Sequence, residues 1–210
     1  MTAPRLKICG FTRDDDVAAA ARLDIDAAGF VFWPGSPRAV DVATAARLAQ
    51  ALPPWTVRVG VFVSASVEAI AAVVSTAGLG AVQLHGIADP APYRTLGVPL
   101  VWAMPLRDGA ADPVAPEGTT LMVDAYDPRR HGGTGQSVDW RRAAAIAARE
   151  RLVLAGGLTP ENVAAAVATV GPYGVDVSSG VEDAPGRKSA NRMAAFVAAV
   201  RGGTPQEPAR

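Results

Sequence analysis

The chain has little sulfur and little imidazole: one cysteine and two histidines in 210 residues. A single thiol closes no internal disulfide, and two histidines make a poor basis for a zinc site, so no metal is expected. An unpaired thiol suits a reducing compartment. Excess charge is lacking too. Twenty lysines and arginines face twenty aspartates and glutamates, which removes the electrostatic case for nucleic acid or an anionic membrane as partner. No segment reaches the length of a membrane span without a charge, glycine or proline, and no long apolar stretch precedes Cys9. These absences lead us to expect a soluble cytoplasmic protein that takes a small molecule. Nothing in the chain sets an oligomeric state, and a monomer is expected over a homodimer.

Half of the chain is apolar, and it alternates short apolar runs with longer alanine-rich stretches. The runs predict strands at Leu6–Cys9, Ala28–Phe32, Val57–Val63, Ala81–His85, Leu100–Met104, Thr120–Asp124, Leu152–Ala155 and Gly174–Ser178. Helices are expected at Arg13–Arg22, Val42–Ala51, Val67–Ala77, Ala91–Leu96, Asp139–Arg149, Pro160–Val170 and Asn191–Val200. Ser66, Asp139 and the Thr159-Pro160-Glu161 run read as helix starts. From Pro105 to Gly118, three prolines and weak periodicity leave the fifth helix without support. Eight such units close into a barrel or lie as an open doubly wound sheet. An open sheet usually carries a glycine-rich phosphate fingerprint after strand one, and Cys9-Gly10-Phe11-Thr12 is not one. The glycine turns follow strands seven and eight instead, as Gly156-Gly157 and Ser178-Ser179-Gly180, where barrels bind phosphate. The expected fold is a single α/β domain, a (βα)8 TIM barrel of the phosphate-binding type, over residues 1–201. A disordered tail is expected at 202–210.

Chemistry in such a barrel sits where strands end and βα loops begin. Strand one ends on Cys9 and strand six on Asp124. Strand two leads into Trp33-Pro-Gly-Ser-Pro-Arg38, a stiff loop with one cation. Strand four offers Gln83 and His85 on one face. Strands seven and eight offer backbone amides around Gly156, Gly157, Ser179 and Gly180. Each has an ordinary structural reading alone: a lone cysteine is commonly a small buried hydrophobe, and Asp127 competes with Asp124 for an acid role. Together they share one rim. Period two also puts Lys7 beneath Cys9, and a buried lysine needs a counter-charge. Asp176 on strand eight, adjacent once the barrel closes, is the expected partner, in a mainly structural pair that can also bias Cys9 toward thiolate.

These segments resemble the phosphoribosylanthranilate isomerase family. The resemblance is carried by Lys7-Ile-Cys-Gly10, Gly29-Phe-Val-Phe32 with Ser36-Pro-Arg38, Val59-Gly-Val-Phe-Val63 and Val82-Gln-Leu-His-Gly86. It continues through Val123-Asp124 with Gly132-Gly-Thr-Gly135, Gly156-Gly-Leu-Thr-Pro-Glu-Asn162 and Asp176-Val-Ser-Ser-Gly-Val181. It implies a cofactor-independent aldose–ketose isomerase of tryptophan biosynthesis. Such an enzyme converts N-(5-phosphoribosyl)anthranilate to 1-(2-carboxyphenylamino)-1-deoxyribulose 5-phosphate by an Amadori rearrangement. Cys9 matches the family's general base, Asp124 its general acid and Arg38 the arginine that orients the anthranilate; Gln83 and His85 are assigned to the substrate. The chemistry asks that Cys9 titrate low and Asp124 high. Two alternatives stand beside this reading. The related histidine-pathway aminoaldose isomerase uses an aspartate where this chain has Cys9, and a non-catalytic phosphate-binding barrel needs neither Cys9 nor Asp124.

Overall fold

The computed structural model describes residues 3–107, 109–125 and 139–203. Asp127, the Gly132–Gly135 run and residues 204–210 of the expected tail lie outside them. Eight parallel strands form a closed barrel in chain order: β1 (Arg5–Cys9), β2 (Ala27–Val31), β3 (Val57–Val63), β4 (Ala81–His85), β5 (Leu100–Leu106), β6 (Thr119–Ala125), β7 (Leu152–Leu154) and β8 (Gly174–Val177). Closure runs through β1, which pairs with β2 on one side and with β8 on the other.

Among the described residues six α-helices pack outside: α1 (Asp14–Ala20), α2 (Val42–Gln50), α3 (Val67–Ala77), α4 (Trp140–Ala147), α5 (Val163–Val170) and α6 (Ala190–Arg201). Side-chain caps start three of them. Asp41 accepts from the Thr44 amide, Ser66 from Ala69, and Asp139 from Arg141 and Arg142; each such cap is worth about 1 kcal/mol.

The departures from the sequence reading have local causes. Ala91–Leu96 is a 3₁₀ helix rather than an α-helix; six residues between Pro90 and Gly97, the latter in the left-handed conformation, leave room for little more than a short turn of this kind. The α5 helix starts at Val163 rather than Pro160. Asn162 takes the Thr159 amide on its Oδ1 and gives its Nδ2 to the Gly157 carbonyl, a clasp that holds this stretch as a turn. No helix forms among the described residues between β5 and β6. A short antiparallel pair absent from the sequence reading, β9 (Glu182–Ala184) and β10 (Arg187–Lys188), projects between β8 and α6.

Strand periodicity separates two layers. Leu6, Ile8, Phe30, Leu84, Leu121 and Leu154 belong to one continuous core with the helices' apolar faces. The alternate residues form two smaller clusters, Cys9 with Val31 and Val61, and Ala103 with Met122 and Ala155. Burying a Leu- or Phe-sized side chain contributes about 1.5–3 kcal/mol. The outer layer therefore carries most of the stability, and the inner layer is free to hold polar groups.

Candidate active site

Period two puts Lys7 and Cys9 on the inner face of β1, and the β1–β8 register sets Lys7 opposite Asp176. The expected ion pair is formed, with Lys7 Nζ 2.9 Å from Asp176 Oδ1 and both side chains 9% exposed. Burial alone would strip the Lys7 proton, but Asp176 and the neighbouring thiol outweigh it and raise the ammonium above its ordinary value. Gly29, paired with Cys9 on β2, leaves room for the sulfur. A Cβ built there would lie 2.8 Å from Cys9 Sγ and 3.1 Å from Lys7 Cε.

Above this floor opens a cavity of about 690 Å³. Every residue nominated from the sequence lines it: Cys9, Arg38, Gln83, His85, Asp124, Gly156, Gly157, Ser179 and Gly180. The thiol and the carboxyl that end β1 and β6 thus face one space. On β4, Gln83 Nε2 is 2.7 Å from His85 Nε2, while Gln83 Oε1 is buried with no hydrogen-bond partner among the described residues. At the β7–β8 edge the two glycine turns touch. A Cβ on Gly180 would stand 1.9 Å from the Leu158 carbonyl oxygen, so only glycine permits this approach. Among the described residues no carbonyl accepts from the amides of Gly157, Ser179 or Gly180, and these turns line the cavity.

The electrostatics depart from expectation at the thiol. Burial pushes Cys9 up, against the opposing pull of Lys7 and Lys188, and Asp176 adds to the rise. Cys9 therefore titrates above its ordinary value, and the downward pull of Lys7 is outweighed. Arg38 is not a solvated loop cation either. Its Nε and Nη2 grip Glu182 at 2.8 and 2.6 Å, which raises the guanidinium's affinity for its proton despite burial. Glu182 also accepts from Lys188 Nζ at 2.8 Å. Burial would lift the Glu182 carboxyl, but Arg38 and Lys188 hold it below its ordinary range. Glu182 and Lys188 were missed in the sequence because the motif run stops at Val181. The Pro185-Gly186 dipeptide, a turn signal between them, was the available clue to the hairpin.

The sequence matches the model of a family described as N-(5'phosphoribosyl)anthranilate (PRA) isomerase over residues 6–199. The chain belongs to that family. An N-(5'-phosphoribosyl)anthranilate isomerase of Geobacter sp. (strain M21) is 43% identical over 199 residues, 94% of this chain and 98% of its own length. The phosphoribosyl anthranilate isomerase of Thermus thermophilus superposes with a TM-score of 0.85 at 37% identity, covering 94% of this chain and 98% of the other. A further isomerase of the family, solved with reduced 1-(o-carboxyphenylamino)-1-deoxyribulose 5-phosphate, gives a TM-score of 0.80 at 34% identity over 95% and 99% of the two chains. The closed parallel barrel is the fold of these relatives. Among the described residues no helix is long and apolar enough to cross a membrane.

Proposed function

We propose that this chain isomerises N-(5-phosphoribosyl)anthranilate to 1-(2-carboxyphenylamino)-1-deoxyribulose 5-phosphate, with Asp124 as general acid and Cys9 as general base. The observation that carries the reading is the shared cavity: the ends of β1 and β6 line it together with the two glycine turns.

Protonated Asp124 donates to the furanose ring oxygen. The C1′–O bond breaks as the nitrogen lone pair forms a cationic Schiff base. Cys9, which must first release its own proton to solvent and so acts as thiolate, removes the proton from C2′, and that electron pair closes the C1′=C2′ bond and neutralises the nitrogen. The enolamine then takes a proton at C1′ and gives up its hydroxyl proton, which leaves the ketone. Each positioned proton transfer is worth about 10²–10⁴ in rate, or about 3–5.5 kcal/mol.

The phosphate is received by backbone amides of Gly156, Gly157, Ser179 and Gly180, which suits a chain with no net charge. That remote anchor holds the reacting carbons in place. Arg38 receives the anthranilate carboxylate, for which a planar fork is a better match than an ammonium. Gln83 and His85 stand beside the sugar, and the unpartnered Gln83 Oε1 is an acceptor ready for a ligand hydroxyl or amine. The protein acts as a monomer in the cytoplasm, and sedimentation at micromolar concentration tests the first point.

Turnover of freshly prepared substrate, followed by loss of its anthranilate fluorescence, tests the assignment. Cys9→Ser and Asp124→Asn should each lower kcat by about 10²–10⁴ with KM little changed. Full activity in either variant removes that residue's role, and no turnover by the wild type leaves only a phosphate-binding barrel.

A further inference from the structure

We propose that Glu182, anchored by Lys188, is the positioning residue that fixes which edge of Arg38 faces the cavity, and so sets the site's preference for ligands bearing an aromatic carboxylate. The inference rests on the reading of Arg38 as the carboxylate receptor and names what makes that receptor selective.

A guanidinium offers two edges on which a carboxylate can sit, Nε with Nη2 and Nη1 with Nη2. Glu182 occupies the first edge with both oxygens. Arg38 Nη1 makes no hydrogen bond among the described residues, so a second carboxylate can meet only the remaining edge. The stem is fixed as well, because Arg38 lies against Gly10 so closely that a Cβ there would stand 2.5 Å from Arg38 Cδ. Both side chains are covered, 11% and 4% exposed, and both residues line the cavity.

Glu182 cannot swing away to follow a mobile arginine. Its Oε1 also holds Lys188, whose side chain is wholly covered. Lys188 Nζ donates in addition to the Ser178 carbonyl at 3.1 Å, and the Lys188 amide donates to Asp16 Oδ2 at 2.9 Å. The hairpin turn is pinned from the other side by Thr12 Oγ1, 2.6 Å from the Gly186 carbonyl. Arg38 from the β2 loop and Lys188 from the same hairpin thus meet on one carboxylate, while Asp16 and Thr12 hold the hairpin's backbone. Arg38 and Lys188 share that single carboxylate, so Glu182 leaves the outer edge of Arg38 unmatched for a ligand carboxylate; burial lowers the Lys188 ammonium below its ordinary value, with Glu182 opposing. An arginine held this way gives up little freedom on binding.

Calorimetric titration with two probes tests this: reduced 1-(o-carboxyphenylamino)-1-deoxyribulose 5-phosphate, and its phenylamino counterpart without the carboxylate. The wild type should prefer the first, and Arg38→Ala should abolish the preference. Glu182→Gln and Glu182→Ala should each cut the preference about tenfold or more, while the Kd of the carboxylate-free probe stays within about threefold. A merely structural role would weaken both probes equally. Adding Glu182→Ala to Arg38→Ala should change the ratio no further.

Because Glu182→Ala strands the Lys188 charge, Glu182→Gln combined with Lys188→Met removes both charges, and thermal melting checks that each variant folds. The doubly neutral variant should show the same loss of preference. Preference retained in folded Glu182 variants overturns the inference while leaving Arg38 as receptor. Preference retained in Arg38→Ala overturns the reading of Arg38 and this inference with it.

Discussion

Replacing Asp176 by asparagine removes the anion bound to Lys7 and leaves the ammonium beside the Cys9 thiol. Lys7 Cε and Cys9 Sγ both approach the Gly29 backbone, within 3.1 and 2.8 Å of one point above it. At a separation of ~6 Å and an effective dielectric of about 20, a unit charge contributes about 3 kcal/mol, or about two pH units. The Asp176 carboxylate opposes with a smaller contribution of the other sign. In the wild type, burial, the first and largest influence, together with Asp176, outweighs Lys7 and Lys188, and the thiol titrates above its ordinary value.

Asp176→Asn should therefore lower the Cys9 pKa by about one to two units, the thiolate becoming the counter-ion that Lys7 has lost. Lys7→Met should raise it by up to about two units, less where Asp176 takes a proton once its partner is gone. Both substitutions break a buried pair and cost about 3–5 kcal/mol of stability, so folding is checked first by circular dichroism. Cys9 is the sole cysteine of the chain, and the pH dependence of its alkylation by iodoacetamide reports the thiol without interference. The catalytic pH profile should follow, with the acid limb of kcat/KM moving down in Asp176→Asn. A shift of the same sign in both variants, or none in either, refutes the electrostatic account and leaves the pair a purely structural one.

Two further substitutions test the phosphate end and the acid limit of stability. Gly180→Ala must drive its Cβ against the Leu158 carbonyl, since the gap is 1.9 Å. The two turns then separate, and KM for the phosphorylated substrate should rise about tenfold or more for the loss of one or two charge-assisted contacts; an unchanged KM, or unchanged competition by inorganic phosphate, counts against those amides. Asp26 accepts from Arg5, the Leu6 amide and Arg201. Burial would raise it, but these donors hold it below its ordinary value. A depressed carboxylate contributes stability that is present above its unfolded pKa, about 3.9, and is lost as pH falls through the lower folded value. Asp26→Asn should lower Tm at pH 7 and shrink the fall in Tm on acidification to pH 3. An undiminished fall would mean that other carboxylates set the acid limit.

Where sequence and structure coincide end to end, both boundaries carry a physical stop. The α3 helix begins on the Ser66 cap and ends on Gly78 in the left-handed conformation, and β4 runs into Gly86 at φ 66°. Such signals act within a few residues and survive any tertiary context. The misplaced start of α5 had no local signature. Asn162 there serves the Thr159 amide and the Gly157 carbonyl at once, and its second bond exists only because the Gly156-Gly157 turn folds back. The 3₁₀ form of Ala91–Leu96 follows from its shortness, six residues closed by Gly97 in the left-handed conformation.

The site divides along the same line. Residues delivered by a strand end were legible because period two and barrel closure together fix where they face; Lys7 opposite Asp176 follows from counting residues and joining β8 to β1. Glu182 and Lys188 were not, because a hairpin of three residues against two has no period to read. Its position depends on contacts from Thr12, Asp16 and Arg38, all more than 140 residues away in sequence. The thiol's titration was illegible for another reason. Burial and Asp176 push it up while Lys7 and Lys188 pull it down, so its sign is a difference among opposing effects. A list of neighbours, however correct, does not determine such a difference; their depths and separations do, and those exist only once the barrel has closed.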